Sequence, residues 1–276
     1  LFKEGGILFA HGFDKFRKKY HVREFEKLSA RKFNMKFAVA VSSGSAALDL
    51  ALQNVNLKNG DEVILPSFTI VSCLSAVLRA GGKPVFCDVD LATRNVTAAD
   101  ILRSISPKTE AVIVVHYAGQ PCNMDDISKL CERKSLLLIE DSAETLGATW
   151  KGRQAGSYGI GCFSFFPTKN ITTAEGGIFT TNDNDLAEKA RALISHGIVS
   201  SHPKKKPWNR EALYAGHNYR MPNPLAAIGY IQLQKVEELN NKRIILAEYY
   251  NSSFIELNNF IKCPIVLDGA DHVYQM

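Results

Sequence analysis

Four apolar runs, DEVILPS, KPVFCDVD, EAVIVVHY and LLLIEDSA, recur along the first half of the chain, with helical spacing around and between them. Runs so rich in Val, Ile and Leu read as strands buried on both faces. The helical stretches are Ser45 to Asn54, Val71 to Ala80, Ala98 to Ser104 and Met124 to Arg133. Alternation of this kind restricts the chain to βαβ units, that is, to an α/β fold with a mainly parallel sheet and helices on both faces. GCFSFF and GGIFTTN read as two further strands with no clear helix between them, which predicts an antiparallel insertion or edge. Leu186 to His196 reads as a helix capped by Asp183 or Asn184. Gly197 to Arg220 shows no clean period and reads as a long loop, of the kind that is usually functional or mobile. After Pro224, helical spacing continues over many turns.

The 276 residues, 46% hydrophobic and 22% charged, are enough for one large α/β domain or two modest ones. The net charge of +5 is mild, and the dense basic cluster Lys204-Lys205-Lys206, between two prolines, reads as a solvated loop. No nucleic-acid partner is expected without a basic face or a recognised module. Six cysteines contain no CxxC pair, so no zinc site is expected. Several lie in apolar runs such as VFCDV, where Cys acts as a small core residue, and a reduced, cytoplasmic compartment fits best. No apolar run is long enough to span a membrane, and LFKEGGILFAHGFDKF lacks the apolar core of a signal peptide. The chain begins at Leu1 and stops at DHVYQM, where a strand-like run is cut off, so a piece of a larger protein is expected.

The chemistry-bearing residues fall at the ends of these elements. Asp141 follows LLLIE at a strand's carboxyl end, where open parallel sheets place their sites. A carboxylate there is costly unless paired, either with a ligand cation or within a cap or ion pair. Lys169 lies in SFFPTKNITTAEGG, where flanking aromatics strip part of its hydration and favour the neutral nucleophile. A lysine able to form a Schiff base, following an aspartate able to keep a pyridine nitrogen protonated, fits an enzyme that holds pyridoxal 5'-phosphate (PLP). SSGSAAL places Ser45 and Ala46 at a helix N-terminus suited to a phosphate, and equally suited to an ordinary cap. Ser164 points toward the same phosphate if it shares the strand face. Glu144 either nears the cofactor ring or is a second polar residue of the turn. His116 and Tyr117 end another strand and are placed in the same cleft, while Asn218 and Arg220 in HNYRM stand at a loop-to-helix junction able to contact an anion. GSYGIG does not match a dinucleotide loop.

Together, from about Val22 onward, SSGSAALDLAL, GDEVILPSFTIVS, HYAGQPCNMDDI, IEDSAETLGATWKG, GSYGIGCFSFFPTKNITTAEGG and HNYRMPNPLAAIGYIQL resemble the DegT-type sugar aminotransferases, a branch of the PLP-dependent fold type I enzymes. The resemblance implies an aspartate-aminotransferase-like large domain over residues 1–240, with residues 241–276 as a linking helix and the start of a truncated small domain. It implies Lys169 as the Schiff-base lysine, Asp141 as the pyridine-nitrogen partner, and Ser45, Ala46 and Ser164 as phosphate binders. Asn218 would reach the phosphate of a neighbouring subunit, so the active site would be shared across a homodimer. The implied reaction moves an amino group from glutamate or glutamine to a keto-sugar, usually nucleotide-linked, in cell-surface polysaccharide or amino-sugar synthesis. Three departures stand out. Ile70 occupies the position of the aromatic ring that usually stacks on the cofactor. Glu144 stands where Gln or His is common. The chain is also shorter than its family. The alternatives are a sugar dehydratase of the same family, which has His in place of the lysine, and a non-catalytic PLP-binding regulatory protein.

Overall fold

Six of the seven strands in the main sheet run in one direction. They were located in a computed structural model that describes residues 20–199 and 211–276. The Lys204–Lys206 cluster and the first nineteen residues therefore lie outside the described residues. In chain order the helices are α1 (His21–Lys32), α2 (Gly44–Val55), α3 (Val71–Arg79), α4 (Ala98–Ser104), α5 (Met124–Lys134), α6 (Asn184–Leu193), α7 (Asn223–Gln234) and α8 (Val236–Ser253). The main strands are β1 (Phe37–Val41), β2 (Glu62–Pro66), β3 (Lys83–Cys87), β4 (Thr109–Val115), β5 (Leu137–Asp141), β8 (Ile160–Ser164) and β9 (Gly177–Thr181). Short pairings add β6 (Thr149–Trp150), β7 (Arg153–Gln154), β10 (Ile198–Val199), β11 (Glu211–Ala212) and β12 (Ala270–Asp271).

The sheet order is β1-β9-β8-β5-β4-β2-β3. Alternate residues along each strand feed opposite layers, as the two-residue period of a strand requires. Val63, Leu65, Ala111, Ile113 and Ile139 pack with Leu50, Cys73 and Val77 of α2 and α3 on one face. Ile64, Val112, Val114 and Leu138 pack with Ile101, Ile127 and Leu130 of α4 and α5 on the other. Past β5 that second face is covered by α1 and α7, where Phe25, Ala226 and Leu233 meet Ala40, Phe163 and Ile178. Helix α1 presents Val22, Phe25, Glu26 and Ser29 inward, at the spacing of one helical face.

The mainly parallel sheet and all four expected helices of the first half are present, with their ends moved by a residue or so. The antiparallel insertion is present too: the reversed strand is β9 alone. It lies between β1 and β8, and β1 forms the edge. The helical run after Pro224 is two helices that meet at Lys235. The stretch expected as one long loop is also braced at both ends, since β10 pairs antiparallel with β11 and the Asn218 backbone bridges Ser195. Capping follows the sequence closely: Asp183 caps α6 by accepting the Asp185 and Leu186 N–H groups, and Thr97 and Asp100 close a capping box on α4.

Candidate active site

A cleft of about 530 Å³ opens at the carboxyl ends of β1, β4, β5 and β8. Its lining includes Ser43, Gly44, Ser45, Ile70, Asp141, Glu144, Ser164 and Lys169. One wall is the turn that joins β1 to α2. Ser43 is the N-cap, and its Oγ accepts the Ala46 N–H at 3.1 Å. Gly44 lets this turn approach β8 closely, because a Cβ there would sit 2.7 Å from the Ser164 Cβ. Ser45 Oγ donates to Ser72 Oγ at 2.9 Å, tying the start of α2 to the start of α3. The result is a cradle of hydroxyls and a positive helix end of the size an anion needs.

Asp141 ends β5 at the floor of the cleft and is almost completely buried. Its Oδ1 accepts the Ala143 N–H at 3.1 Å and its Oδ2 accepts the Cys73 thiol proton at 3.2 Å. Burial raises its proton affinity, and the nearby Glu144 charge adds to that. The two hydrogen bonds and Lys169 pull the other way. The direction has a consequence for stability. A carboxyl whose folded-state pKa lies above its unfolded value costs nothing in acid, and destabilises progressively as pH rises through the unfolded value toward the folded one. The advantage of Asp141→Asn over wild type in the cofactor-free protein is therefore expected to grow as pH rises from about 4 through the raised folded-state value. Thermal melts of both proteins across that range check this, and a melting-temperature difference that stays flat with pH would contradict it.

Lys169 stands on the loop between β8 and β9, with 15% of its side chain exposed. Its backbone N–H donates to Phe166 O, closing a turn that turns the side chain into the cleft. The ammonium donates to Glu144 Oε1 at 3.1 Å, and Glu144 Oε2 accepts the Ala118 N–H at 2.8 Å. Glu144 thus lies at the lysine rather than serving only the turn. The loop is anchored from outside by Asn170 Nδ2, which donates to Asn240 Oδ1 of α8, and by Gln275 Nε2, which donates to Thr168 O.

The remaining expected residues divide. Ile70 caps α3 and is 58% exposed on the cleft wall, where Phe68 and Tyr117 form a ring pair 4.7 Å apart. Ala46 is buried, and its amide is given to the Ser43 cap. Asn218 bridges Ser195 and does not line the cleft of its own chain, while Arg220 donates to Ser195 Oγ at 3.3 Å. His116 is the correction: it is fully buried behind the cleft and faces Glu140. Cys73, which bonds Asp141, and Glu140, which faces His116 behind the floor of the cleft, are residues that sequence reading did not single out. Nothing in the chain marks them except their place in a buried strand and in the first turn of a helix.

A model of the DegT/DnrJ/EryC1/StrS aminotransferase family matches residues 12–276. Among curated relatives, the GDP-perosamine synthase of Caulobacter vibrioides is 42% identical over 254 residues, which are 92% of this chain and 67% of that protein. Among solved structures, an aminotransferase from Psychrobacter cryohalolentis superposes with a TM-score of 0.87 at 36% identity, over 92% of this chain and 68% of that one. NtdA from Bacillus subtilis, solved with bound cofactor PMP, superposes with a TM-score of 0.81 at 30% identity, over 93% of this chain and 57% of that one. The chain thus spans about two thirds of the length of the first two.

Proposed function

This chain belongs to the DegT/DnrJ/EryC1/StrS aminotransferase family, with the fold type I architecture and PLP chemistry of that family, and from that premise we propose that it transfers an amino group from glutamate or glutamine to a nucleotide-linked keto-sugar. The carrying observation is the meeting of Lys169, Asp141, Ser45 and Ser164 in one cleft. PLP fits these residues. Gly44 lets the start of α2 close on Ser164, which brings the hydroxyls of Ser45 and Ser164 to one anion-sized cradle, and the buried Asp141 offers a carboxylate to a ring-nitrogen proton.

When bound, PLP supplies an aldehyde that condenses with amines and an electron sink for the bond that must break at Cα. The chain's residues do the rest. Ser45 and Ser164 hold the phosphate end, and Asp141 holds the proton on the ring nitrogen. Lys169 Nζ is the group that takes the proton from the donor Cα and later returns one to the sugar carbon that receives nitrogen. Glu144, at 3.1 Å, keeps the lysine aimed into the cleft. The exposed Ile70 gives an aliphatic contact where a ring would stack, so affinity for the cofactor rests more heavily on the phosphate cradle.

The wider reading follows the family. Asn218, absent from the lining of its own cleft, would serve the phosphate of a neighbouring subunit in a homodimer. Six free cysteines, five of them buried, suit a reduced cytoplasm, and no helix among the described residues is long and apolar enough to cross a membrane. Residues 1–240 are read as the large domain and 241–276 as the start of the small one. The relative named for GDP-perosamine supports trying a GDP-linked keto-sugar first.

The test is direct. Purified protein mixed with PLP should gain visible absorbance, lose it on addition of glutamate, and then aminate a GDP-linked 4-keto-sugar, with product followed by mass spectrometry. Absorbance that responds to glutamate without amination of any keto-sugar nucleotide would reject the acceptor assignment. No spectral change at all would reject the enzyme assignment. Lys169 separates this reading from a sugar dehydratase, whose family members carry His at that position.

A further inference from the structure

The first turn of α3 touches both ends of the cleft. Ser72 Oγ accepts from Ser45 Oγ at the cradle, and the next residue, Cys73, reaches the floor. Its thiol donates to Asp141 Oδ2 at 3.2 Å, and its sulfur accepts the Thr69 hydroxyl proton at 3.3 Å. Cys73 is completely buried, does not line the cleft, and has no part in the reaction described above. The other groups that face Asp141 are Cys162 on the adjacent strand β8, Lys169 from its loop and Glu144 from the turn after β5. None of these three donates a hydrogen bond to the carboxylate, whereas Cys73 fixes one oxygen and the Ala143 amide fixes the other.

We propose that Cys73 is a positioning residue for the aminotransferase reaction, acting through Asp141: its thiol clamps Oδ2, fixes the rotation of the carboxylate, and sets how strongly that carboxylate holds the proton of the cofactor ring nitrogen. This rests on the reading of the cleft as a PLP site. Burial, and then the Asp141 charge, push the Cys73 thiol well above its usual range, so it stays a donor. A thiol is a weak donor. It aligns the carboxylate yet withdraws little charge from it, whereas a hydroxyl at the same place withdraws more and loosens the hold on the ring proton. An aliphatic side chain of similar size withdraws none and lets the carboxylate turn.

Three measurements test this. In cofactor-free protein, the S–H stretching band of Cys73, isolated by subtracting the spectrum of Cys73→Val, should lie at the low frequency of a bonded thiol and rise in Asp141→Asn. A band that does not move removes the clamp. In the same state, the protonated-carboxyl infrared band of Asp141 should titrate about one pH unit higher in Cys73→Val than in wild type, and lower than wild type in Cys73→Ser. Equal midpoints overturn the proposal, and the Ser variant alone decides the matter if the Val variant does not fold. In loaded protein, nitrogen NMR of cofactor labelled at its ring nitrogen should report a more fully protonated ring in the Val variant and a less protonated one in the Ser variant. Wild type that takes up no cofactor sinks the aminotransferase reading, and this proposal with it. Uptake with the same ring-nitrogen shift in wild type and the Ser variant sinks this proposal alone.

Discussion

Replacing Lys169 by arginine should abolish turnover while leaving the fold intact. Arginine keeps a positive charge within reach of Glu144 Oε1, which now receives the lysine ammonium at 3.1 Å. It cannot lose its proton in a protein and so can neither attack an aldehyde nor shuttle a proton. Loss of the proton transfer alone is worth about 10²–10⁴-fold in rate, and loss of the covalent attachment adds to that. Lys169→Ala should fail equally in catalysis, and it also leaves Glu144 without its ion pair. The pair is partly exposed, so only a small loss of stability, about 1 kcal/mol or less, is expected from that. The expected pattern is therefore two variants without visible cofactor absorbance and without amination, of which the arginine variant melts as wild type does. Measurable amination by either variant, with the cofactor absorbance of wild type, would remove Lys169 from its assigned role.

How much of this was legible before any coordinates depends on what each residue answers to. Strands β2, β4 and β5 are buried on both faces by helices, so their apolar runs are continuous and easily read. Ser43, Gly44 and Ser45 announce a helix start, and Asp141 announces the end of a buried strand. The site was legible because each of its parts is tied to a local feature of the chain. Strand β1, FAVAV, is only five residues long and went unplaced, although Val39 and Val41 feed one layer and Ala38 and Ala40 the other. The position of β9 inside the sheet is set by which strands it meets, information that a single run of apolar residues does not contain. The break at Lys235 carries no Pro or Gly, so the helical period passes through it unmarked. His116 misled for a related reason: a polar residue after a buried strand looks like a site residue, yet its ring is turned away toward a second acid. The string GSYGIG does not match a nucleotide loop, and its structural work cannot be read from spacing, because its partner is the buried carboxylate of Glu140.

That partner carries the largest stability effect expected in the molecule. Glu140 is fully buried beside Asp141 and points to the opposite side of the sheet. Its Oε1 accepts the Tyr158 and Gly159 N–H groups at 2.6 and 2.7 Å, and its Oε2 accepts the Gly156 N–H at 2.8 Å. The His116 ring, whose Nδ1 accepts the Cys122 N–H at 3.1 Å, presents Nε2 to the same Oε2 at 3.0 Å. Glycine is required where the turn closes, since a Cβ on Gly159 would lie 2.2 Å from Leu138 O. One carboxylate thus satisfies three backbone donors and a fully buried imidazole, and it ties the turn before β8 to the ends of β4 and β5. Glu140→Ala strands all four donors at once, and a loss of about 3–5 kcal/mol is expected, as for other buried charges robbed of their partner. Glu140→Gln keeps the shape but turns an N–H toward one set of donors, so it should recover only part of that loss. Denaturant titration of the three proteins with equal slopes gives the difference directly. The same measurement bears on the active site, because Asp141 is the next residue on β5 and inherits its place from the strand that Glu140 holds. A Glu140→Ala protein within about 0.5 kcal/mol of wild type would mean that the turn finds other acceptors, and that the floor of the cleft is positioned by β-sheet pairing alone.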